Sequence, residues 1–179
     1  MRWWLAGAVL TLVAVIAAIE AFVVVPAVLE PRLDPLGPAD AVVVLGGYGD
    51  GPLFLANQIH AAGLSPVVVI SDPGPPGDTT LVQRTCAQPP PGYYCFVPSP
   101  DTTLGEARQL RDYADTYGWR RVQVVTGSTH VERARYIVGQ CWGGELAVTH
   151  PGKEIPPRGT PYAIAYQTLG FVKAWFADC

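Results

Sequence analysis

The sequence lacks the short motifs that assign a chemistry directly. No two cysteines have the CxxC spacing of a zinc or redox site, and no His, Asp or Glu spacing indicates a metal site. A GxGxxG fingerprint and a GKS or GKT phosphate loop are absent, which argues against a dinucleotide enzyme and an NTPase. No GxSxG context marks a nucleophile. We therefore expect neither a metal nor a cofactor.

Charge is also scarce. Twelve Lys and Arg and 15 Asp and Glu give a net charge of −3, and the two signs are scattered along the chain. This pattern argues against a nucleic-acid-binding surface. The length of 179 residues suits one domain with a substantial core but is too short for two comfortable ones.

The most apolar part of the chain is its N-terminal segment. Residues 3–25 are nearly all apolar, interrupted only by Thr11 and Glu20. At a rise of about 1.5 Å per residue, this run crosses a hydrocarbon core of about 30 Å. We predict a transmembrane anchor over residues 1–29 and a stiff, proline-rich linker over residues 30–39. The alternative is a cleaved signal peptide with a weak site at residues 25–27, although the apolar run is longer than such peptides have.

The charges that flank this segment predict its orientation. Arg2 precedes the apolar run, whereas Glu30 and Asp34 follow it, with Arg32 between them. The positive-inside rule then places the N-terminus in the cytoplasm and the remaining chain outside a single-pass cell membrane.

Four cysteines support an extracytoplasmic domain. An even set without metal spacing pairs in an oxidising compartment. We predict disulfides Cys86–Cys95, which would hold a proline-rich loop, and Cys141–Cys179, which would join a helix end to the C-terminus. Other pairings remain open, as does a cytosolic protein with four buried free thiols.

Strand and helix patterns alternate along residues 40–179. Continuous apolar runs at residues 41–47 and 66–72 are typical of buried parallel strands, and shorter runs at 122–125 and 145–149 add two more. Helical patterns follow them, whereas residues 72–100 form a long excursion rich in Pro and Gly. The pattern predicts an α/β domain, with a three-layer Rossmann-like parallel sheet and helices on both faces.

Candidate ligand-binding residues collect where these strands end. In an open α/β sheet, ligands bind beyond the carboxyl ends of the strands. Glycines let backbone N–H groups approach a ligand, although a tight turn explains them equally well. Thr103 with Glu106 is also a capping box, so capping alone can explain that pair. The candidates are Gly46, Gly47, Ser71, Thr103, Glu106 and Thr126.

The segment at residues 121–138 is the most informative. A strand over residues 122–125 runs into a second capping box, Thr129 with Glu132, so we expect Thr129 as N-cap and His130 as the first helical residue. Arg133 then shares a helix face with His130. An imidazole and a guanidinium at a helix N-terminus suit an anion, although a solvated His and an Arg paired with Glu132 are equally common.

These motifs occur in the order seen in the YdcF-like family, which includes the SanA- and ElyC-type envelope proteins. The matching elements are a strand ending in LGG, a second strand end, a threonine helix start, and a VTxxxHxxRA segment. The resemblance covers residues 39–149 and rests on Leu45, Gly46, Gly47, Ser71, Thr103, Glu106, Val125, Thr126, His130, Arg133 and Ala134. Two departures are the missing Arg after the glycines and the proline-rich loop where members usually have a helix.

The resemblance implies a Rossmann-like domain tethered to the bacterial inner membrane. Members are linked to envelope integrity, peptidoglycan or lipid-carrier metabolism, and one is reported to bind S-adenosylmethionine. The family supplies no settled reaction.

Three hypotheses follow. In the first, an envelope enzyme acts on a phosphate or pyrophosphate, free or lipid-linked: the Gly46 and Gly47 amides cradle the anion and Arg133 neutralises it. His130 and Glu106 are then the candidate acid and base, His130 because its reference pKa lies near the working pH. In the second, the same residues hold a nucleotide-like or S-adenosylmethionine-type ligand without turnover. In the third, the protein is structural and its pocket vestigial.

Overall fold

The body of the protein is a parallel sheet between two layers of helices. The computed structural model describes residues 2–71, 74, 80–153 and 158–179. Its five strands pair in the order β3-β2-β1-β4-β5, and every pairing is parallel. The strands are β1 (Ala41–Val44), β2 (Val68–Ser71), β3 (Tyr93–Phe96), β4 (Arg121–Val125) and β5 (Glu145–Thr149).

Helices connect and cover these strands. The chain begins with α1 (Arg2–Ile19), a π-helical turn (Glu20–Val24) and α2 (Val25–Leu29), and the body contains α3 (Gly51–Ala61), α4 (Leu81–Ala87), α5 (Thr103–Tyr117), α6 (Val131–Cys141) and α7 (Thr160–Trp175). The predicted Rossmann-like α/β fold with helices on both faces is confirmed.

Both faces of the central strand are buried, as its unbroken valine run predicts. Val42 and Val44 pack against Leu53 of α3 on one face. On the opposite face, Val43 packs in a cluster with α5 and α6 that includes Leu110. Burying each Val or Leu side chain fully contributes about 1.5–3 kcal/mol to the free energy of folding relative to an exposed one, so the burial of this strand strongly stabilises the fold.

The strand order creates a switch point at the edge where the site lies. From β1 the chain proceeds to β2 and β3 on one side, and then returns to β4 and β5 on the other. The connections after β1 and β4 therefore leave in opposite directions. A crevice forms beyond the carboxyl ends of two such strands, and it is the usual ligand site of an open α/β sheet.

The sheet contains one strand more than the sequence predicts. Strand β3 and helix α4 both lie within the segment interpreted as a long excursion rich in Pro and Gly. Residues 72–73 and 75–79 of this segment lie outside the described residues. The strand YYCF is four residues long and half-buried, so neither its length nor its periodicity distinguishes it; pairing with β2 establishes it.

Both predicted disulfides are present. Cys86–Cys95 joins α4 to β3, and Cys141–Cys179 joins the end of α6 to the C-terminus. The second bond closes a loop that contains β5 and α7, so it holds α7 against the body.

The N-terminal helical segment is long and apolar enough to cross a membrane. Residues Trp4–Leu29 have a mean hydropathy of 2.7, and the same length and composition also fit a signal sequence. Near its C-terminal end, Val24 and Val28 pack against Ala163 of α7. We call this segment (α1, the π-helical turn and α2) the anchor.

The linker that follows the anchor is bound to the body. The Asp34 backbone N–H donates to the carbonyl of Val148 (3.1 Å), and the Asp34 carboxylate accepts from the Val148 N–H (2.9 Å) and from Arg135. Although burial raises it, the pKa of Asp34 is lowered overall by the hydrogen bonds from Arg135 and Val148. These contacts fix the orientation of the anchor's C-terminal end relative to the sheet.

Candidate functional site

The predicted site residues gather at the carboxyl edge of β1, β2 and β4. Gly46 and Gly47 follow β1, Ser71 ends β2, and Thr126 follows β4. Helix α5 brings Thr103 and Glu106 to the same edge through contacts with two of these loops. The sheet therefore brings together residues that are far apart in the sequence; Gly46 and Arg133, for example, are separated by 87 positions.

Glu106 is a buried carboxyl group that binds the glycine turn. It is 5% exposed, and one carboxylate oxygen accepts a 2.7 Å hydrogen bond from the Gly46 N–H. Burial raises the pKa of Glu106, against the opposing effects of the Gly46 amide, the nearby Ser71 hydroxyl and the Arg133 charge. The Gly46 N–H is therefore bound by a side chain of the protein itself, and its expected contact with an anion stays a prediction.

The helix start at α5 differs from the predicted capping box. The N-cap is Thr102, whose hydroxyl accepts from the Gly105 N–H (3.3 Å). Thr103 and Glu106 therefore do not cap the helix. Their side chains contact His130 and Gly46 instead. Gly105 is required here because a Cβ would lie 2.0 Å from the carbonyl oxygen of Pro100.

His130 is the most deeply buried titratable group of the site. It is 1% exposed, and its Nε2 shares a 3.2 Å hydrogen bond with the Thr103 hydroxyl. The Tyr48 ring stacks on it with centroids 5.2 Å apart. Burial, reinforced by the Arg133 charge and opposed by Gln167, holds the pKa of His130 well below its ordinary value of 6.5. The imidazole is therefore neutral at neutral pH.

This burial also changes the predicted helix start. Ser128–His130 forms a 3-10 turn, and α6 begins at Val131 without a side-chain cap from Thr129. The predicted N-cap at Thr129 is therefore wrong. The Glu132 carboxylate does not close a capping box, because it accepts hydrogen bonds from the Arg32 N–H (2.7 Å) and from Arg135 (3.3 Å).

Arg133 adds a positive charge to the candidate site. Its Nε donates a 2.6 Å hydrogen bond to the Gln167 side chain, and its guanidinium lies 5.6 Å from the Tyr166 ring centroid. A Cβ on Gly170 would lie 2.8 Å from Arg133 Cδ, so this glycine makes room for the side chain. Arg133 lowers the pKa values of Tyr48, Glu106 and His130, which places its charge within electrostatic reach of all three.

Three buried polar atoms at this edge have no hydrogen-bond partner among the residues that the structure describes. They are Ser71 Oγ, Thr126 Oγ1 and His130 Nδ1. An unsatisfied buried polar group costs about 1–3 kcal/mol, and such groups are uncommon in native proteins. Two further residues with such atoms, Arg121 and Gln123, lie earlier on β4. The three unpaired atoms therefore lie at or just beyond the carboxyl ends of β2 and β4.

A cavity of about 430 Å³ adjoins this edge. The exposed turn residue Gly47, with φ of +85°, and the buried Ser71 both line it. Two carboxylates, Asp50 and Asp101, line it as well, and the described lining residues include no Lys or Arg. Asp50 accepts the Leu81 and Val82 N–H groups at the start of α4. The cavity wall is thus acidic, whereas the cation Arg133 lies toward α7.

Sequence reasoning missed two components of the site, Tyr48 and Gln167. Tyr48 follows the glycine pair, and its ring covers His130 and occupies the space above Gly127, where a Cβ would lie 2.0 Å from Tyr48 Cδ1. Gln167 is 1% exposed and positions Arg133. Its inward position between Ala163 and Ala174 on an otherwise apolar helix face was visible in the sequence.

Within the described part of the chain, no group of three or more His, Cys, Asp or Glu residues is arranged to hold a metal ion. Comparison with protein-family models, with curated proteins and with solved structures returns no match. The protein is therefore described by its fold and its polar residues: it is an α/β protein with polar side chains gathered at the switch point of its sheet and an apolar N-terminal helix.

Proposed function

We propose that this protein is a membrane-anchored, extracytoplasmic, YdcF-like domain that binds a phosphate or pyrophosphate group, free or lipid-linked, in bacterial envelope or lipid-carrier metabolism. The main support for this proposal is the set of unpaired polar atoms on Ser71, Thr126 and His130, which lie beside the positive charge of Arg133. A tetrahedral anion presents several acceptor oxygens at once, and these suit two hydroxyls, an imidazole N–H and a guanidinium.

Protonation states fit this ligand. When Nε2 of His130 accepts from Thr103, Nδ1 carries the proton and can donate to an anion. Glu106 would repel an anion if ionised, but burial raises its pKa and favours the neutral acid. The proposal therefore predicts tighter binding at mildly acidic pH than at alkaline pH.

The anchor and the disulfides support the proposed compartment. Both bonds lie in the body, and such bonds persist in oxidising compartments. Together with the flanking charges Arg2, Glu30 and Asp34, they favour a cytoplasmic N-terminus and an external domain.

If the site turns over its ligand, Glu106 is the better acid. Its raised pKa keeps Glu106 protonated to a higher pH than an ordinary carboxyl group, whereas the depressed pKa of His130 makes it a weak base and suits it to donate a hydrogen bond as a neutral imidazole. The corresponding reaction is hydrolysis of a phosphate or pyrophosphate bond. The sequence alone predicts that His130 acts as an acid or base near its reference pKa.

One observation favours a second candidate, a nucleotide-like or S-adenosylmethionine-type ligand that is bound without turnover. Asp50 and Asp101 line the cavity beside the glycine turn, and carboxylates accept hydrogen bonds from hydroxyl groups such as those of ribose. An anion alone gains nothing from these two groups.

Calorimetric titration of the detergent-solubilised full chain distinguishes the candidates. Pyrophosphate, a nucleoside diphosphate and S-adenosylmethionine are titrated into wild type, Arg133→Met and Arg158→Met. Arg158 is the matched control because it also lies over a tyrosine ring, 5.0 Å from the Tyr162 centroid. We expect pyrophosphate binding that Arg133→Met weakens at least about tenfold and Arg158→Met leaves unchanged. Binding of S-adenosylmethionine alone would favour the second candidate, and equal pyrophosphate binding by all three proteins would refute the first.

A phosphate-release assay with Glu106→Gln then addresses turnover. Release by wild type that the variant abolishes supports hydrolysis, whereas tight binding without release defines a binding module.

A further inference from the structure

The outward face of α7 is strongly apolar and exposed. Leu169, Val172, Trp175 and Phe176 are between 54% and 82% exposed, and Tyr162 and Tyr166 about half. Their spacing follows one helix stripe, and Lys173 is the only charged residue in Thr160–Trp175. Isolated apolar residues on a surface are ordinary, but a continuous patch of this kind marks an interaction surface.

The position of α7 beside the anchor identifies what covers this face. Ala163 packs against Val24 and Val28, and farther along the helix Thr168 donates a 3.1 Å hydrogen bond to the Glu20 carboxylate. As α7 proceeds from Ala163 to Thr168, its contacts on the anchor move from Val28 back to Glu20. The helix thus runs toward the apolar part of the anchor, and the residues after Thr168 follow on that side.

The depth of this contact matches a membrane interface. About 20 residues at 1.5 Å each cross a hydrocarbon core, so a span that begins near Trp4 ends close to Glu20–Val24. Thr168 satisfies Glu20, the one acidic residue of the apolar run, at that level. Trp and Tyr side chains favour the interface, and a Lys such as Lys173 can extend to lipid phosphates.

We propose that the outward face of α7 lies in the outer leaflet of the membrane that the anchor spans, as an interfacial helix fixed to the body. This inference rests on the membrane anchoring in the proposed function, but not on the ligand. Ala174 is buried in the main core, and the Cys141–Cys179 bond follows it, so α7 is held in this orientation. Its inward side carries Gln167, and Tyr166 of the exposed stripe lies under the Arg133 guanidinium, so the site adjoins the face proposed to contact lipid.

Quenching by brominated lipids tests the proposal. The full chain is reconstituted in vesicles of phosphatidylcholine and phosphatidylglycerol with brominated acyl chains, as wild type, Trp175→Phe and Trp119→Phe. Trp119 is the control because it lies between α5 and β4, where its ring packs against Tyr113 and Tyr117 of α5. We expect Trp175→Phe to lower the quenched fluorescence clearly and Trp119→Phe to leave it almost unchanged, because of these two side chains only that of residue 175 would contact lipid.

The outcomes separate this proposal from the proposed function. Chains that resist alkaline carbonate but show no loss of quenching in Trp175→Phe would overturn the lipid contact and leave the anchor intact. A blue-shifted but unquenched Trp175 would show that a second protein surface covers α7, which also overturns it. Release of the chain by carbonate would refute the anchor itself, and with it the lipid contact, whereas pyrophosphate binding would be judged separately by calorimetry.

Discussion

The Glu106 carboxylate accepts a 2.7 Å hydrogen bond from the Gly46 backbone N–H, which ties the first turn of α5 to the loop after β1. This contact places a carboxyl group with a raised pKa at the floor of the site, within reach of Ser71 and Arg133. It also explains why an acidic residue is 95% buried in a domain with few charges: the carboxyl group is held by the backbone and by one nearby cation.

Replacing Glu106 with Gln tests this contact through the pH dependence of stability. The folded-state pKa is raised above the ordinary value of 4.5, so the folded state binds the proton more tightly than the unfolded state does. The tighter binding of this proton therefore adds to the unfolding free energy of the wild type. This contribution is at its maximum below pH 4.5 and is lost as the pH rises through the folded-state pKa. Gln keeps the carbonyl acceptor for Gly46 and does not titrate.

We therefore expect Glu106→Gln to gain stability relative to wild type between pH 4 and pH 8, by on the order of 1 kcal/mol. Urea unfolding of both proteins at the two pH values measures the difference. An unchanged difference between the proteins would show that the pKa of Glu106 is not raised.

Replacing Gly127 with Ala tests the packing of Tyr48 over the turn before α6. The new Cβ would lie 2.0 Å from Tyr48 Cδ1, so the ring must move away from His130. We expect a loss of about 1–3 kcal/mol of unfolding free energy and weaker ligand binding. Gly139→Ala is the matched control on α6, where a Cβ meets nothing within 4 Å, and it should raise stability by about 0.5–1 kcal/mol. Equal effects of the two substitutions would contradict the observed stacking.

Removing the disulfides should affect stability unequally. Cys141–Cys179 spans 38 positions and Cys86–Cys95 spans 9. In the chain-entropy model, the longer loop gives the larger stabilisation, by about 1.3 kcal/mol, within a typical range of 2–4 kcal/mol per bond. Thermal or urea unfolding of the two double Cys→Ser variants measures this order. A larger loss from Cys86→Ser with Cys95→Ser would indicate that α4 and β3 depend on their bond more than chain entropy predicts.

Much of the fold was predictable because buried parallel strands leave a strong mark in the sequence. The valine runs at β1 and β2 are continuous, and their glycine and serine ends place the site on the correct sheet edge. Strand β3 was not predictable on the same basis, since its four residues are only partly buried and gain their structure from pairing with Ser71 and its neighbours.

The site was predictable as a location but less so in its contacts. Sequence patterns assign Thr103, Glu106 and Thr129 to helix caps, because local hydrogen bonds are all that a sequence pattern can weigh. In the folded chain Glu106 contacts Gly46, which lies 60 positions away, and His130 contacts Thr103, which lies 27 positions away. Gln167, from the last helix, depends on the docking of α7 and therefore on tertiary structure.

Thr126 provides the most direct test of the claim that the unpaired groups serve a ligand. Its hydroxyl is fully buried without a partner among the described residues, and Val has nearly the same shape. If the hydroxyl exists for the ligand, Thr126→Val should raise the unfolding free energy of the free protein by about 1 kcal/mol and weaken pyrophosphate binding about tenfold. Thr149→Val, at the buried end of the neighbouring strand β5, is the matched control and should leave binding unchanged.

The decisive measurement is therefore the paired change in stability and affinity of Thr126→Val, by urea unfolding and by calorimetric titration with pyrophosphate. The proposed site predicts a more stable protein that binds more weakly. A variant that is less stable and binds pyrophosphate as wild type does would contradict it, because the hydroxyl would then serve the fold and not a ligand.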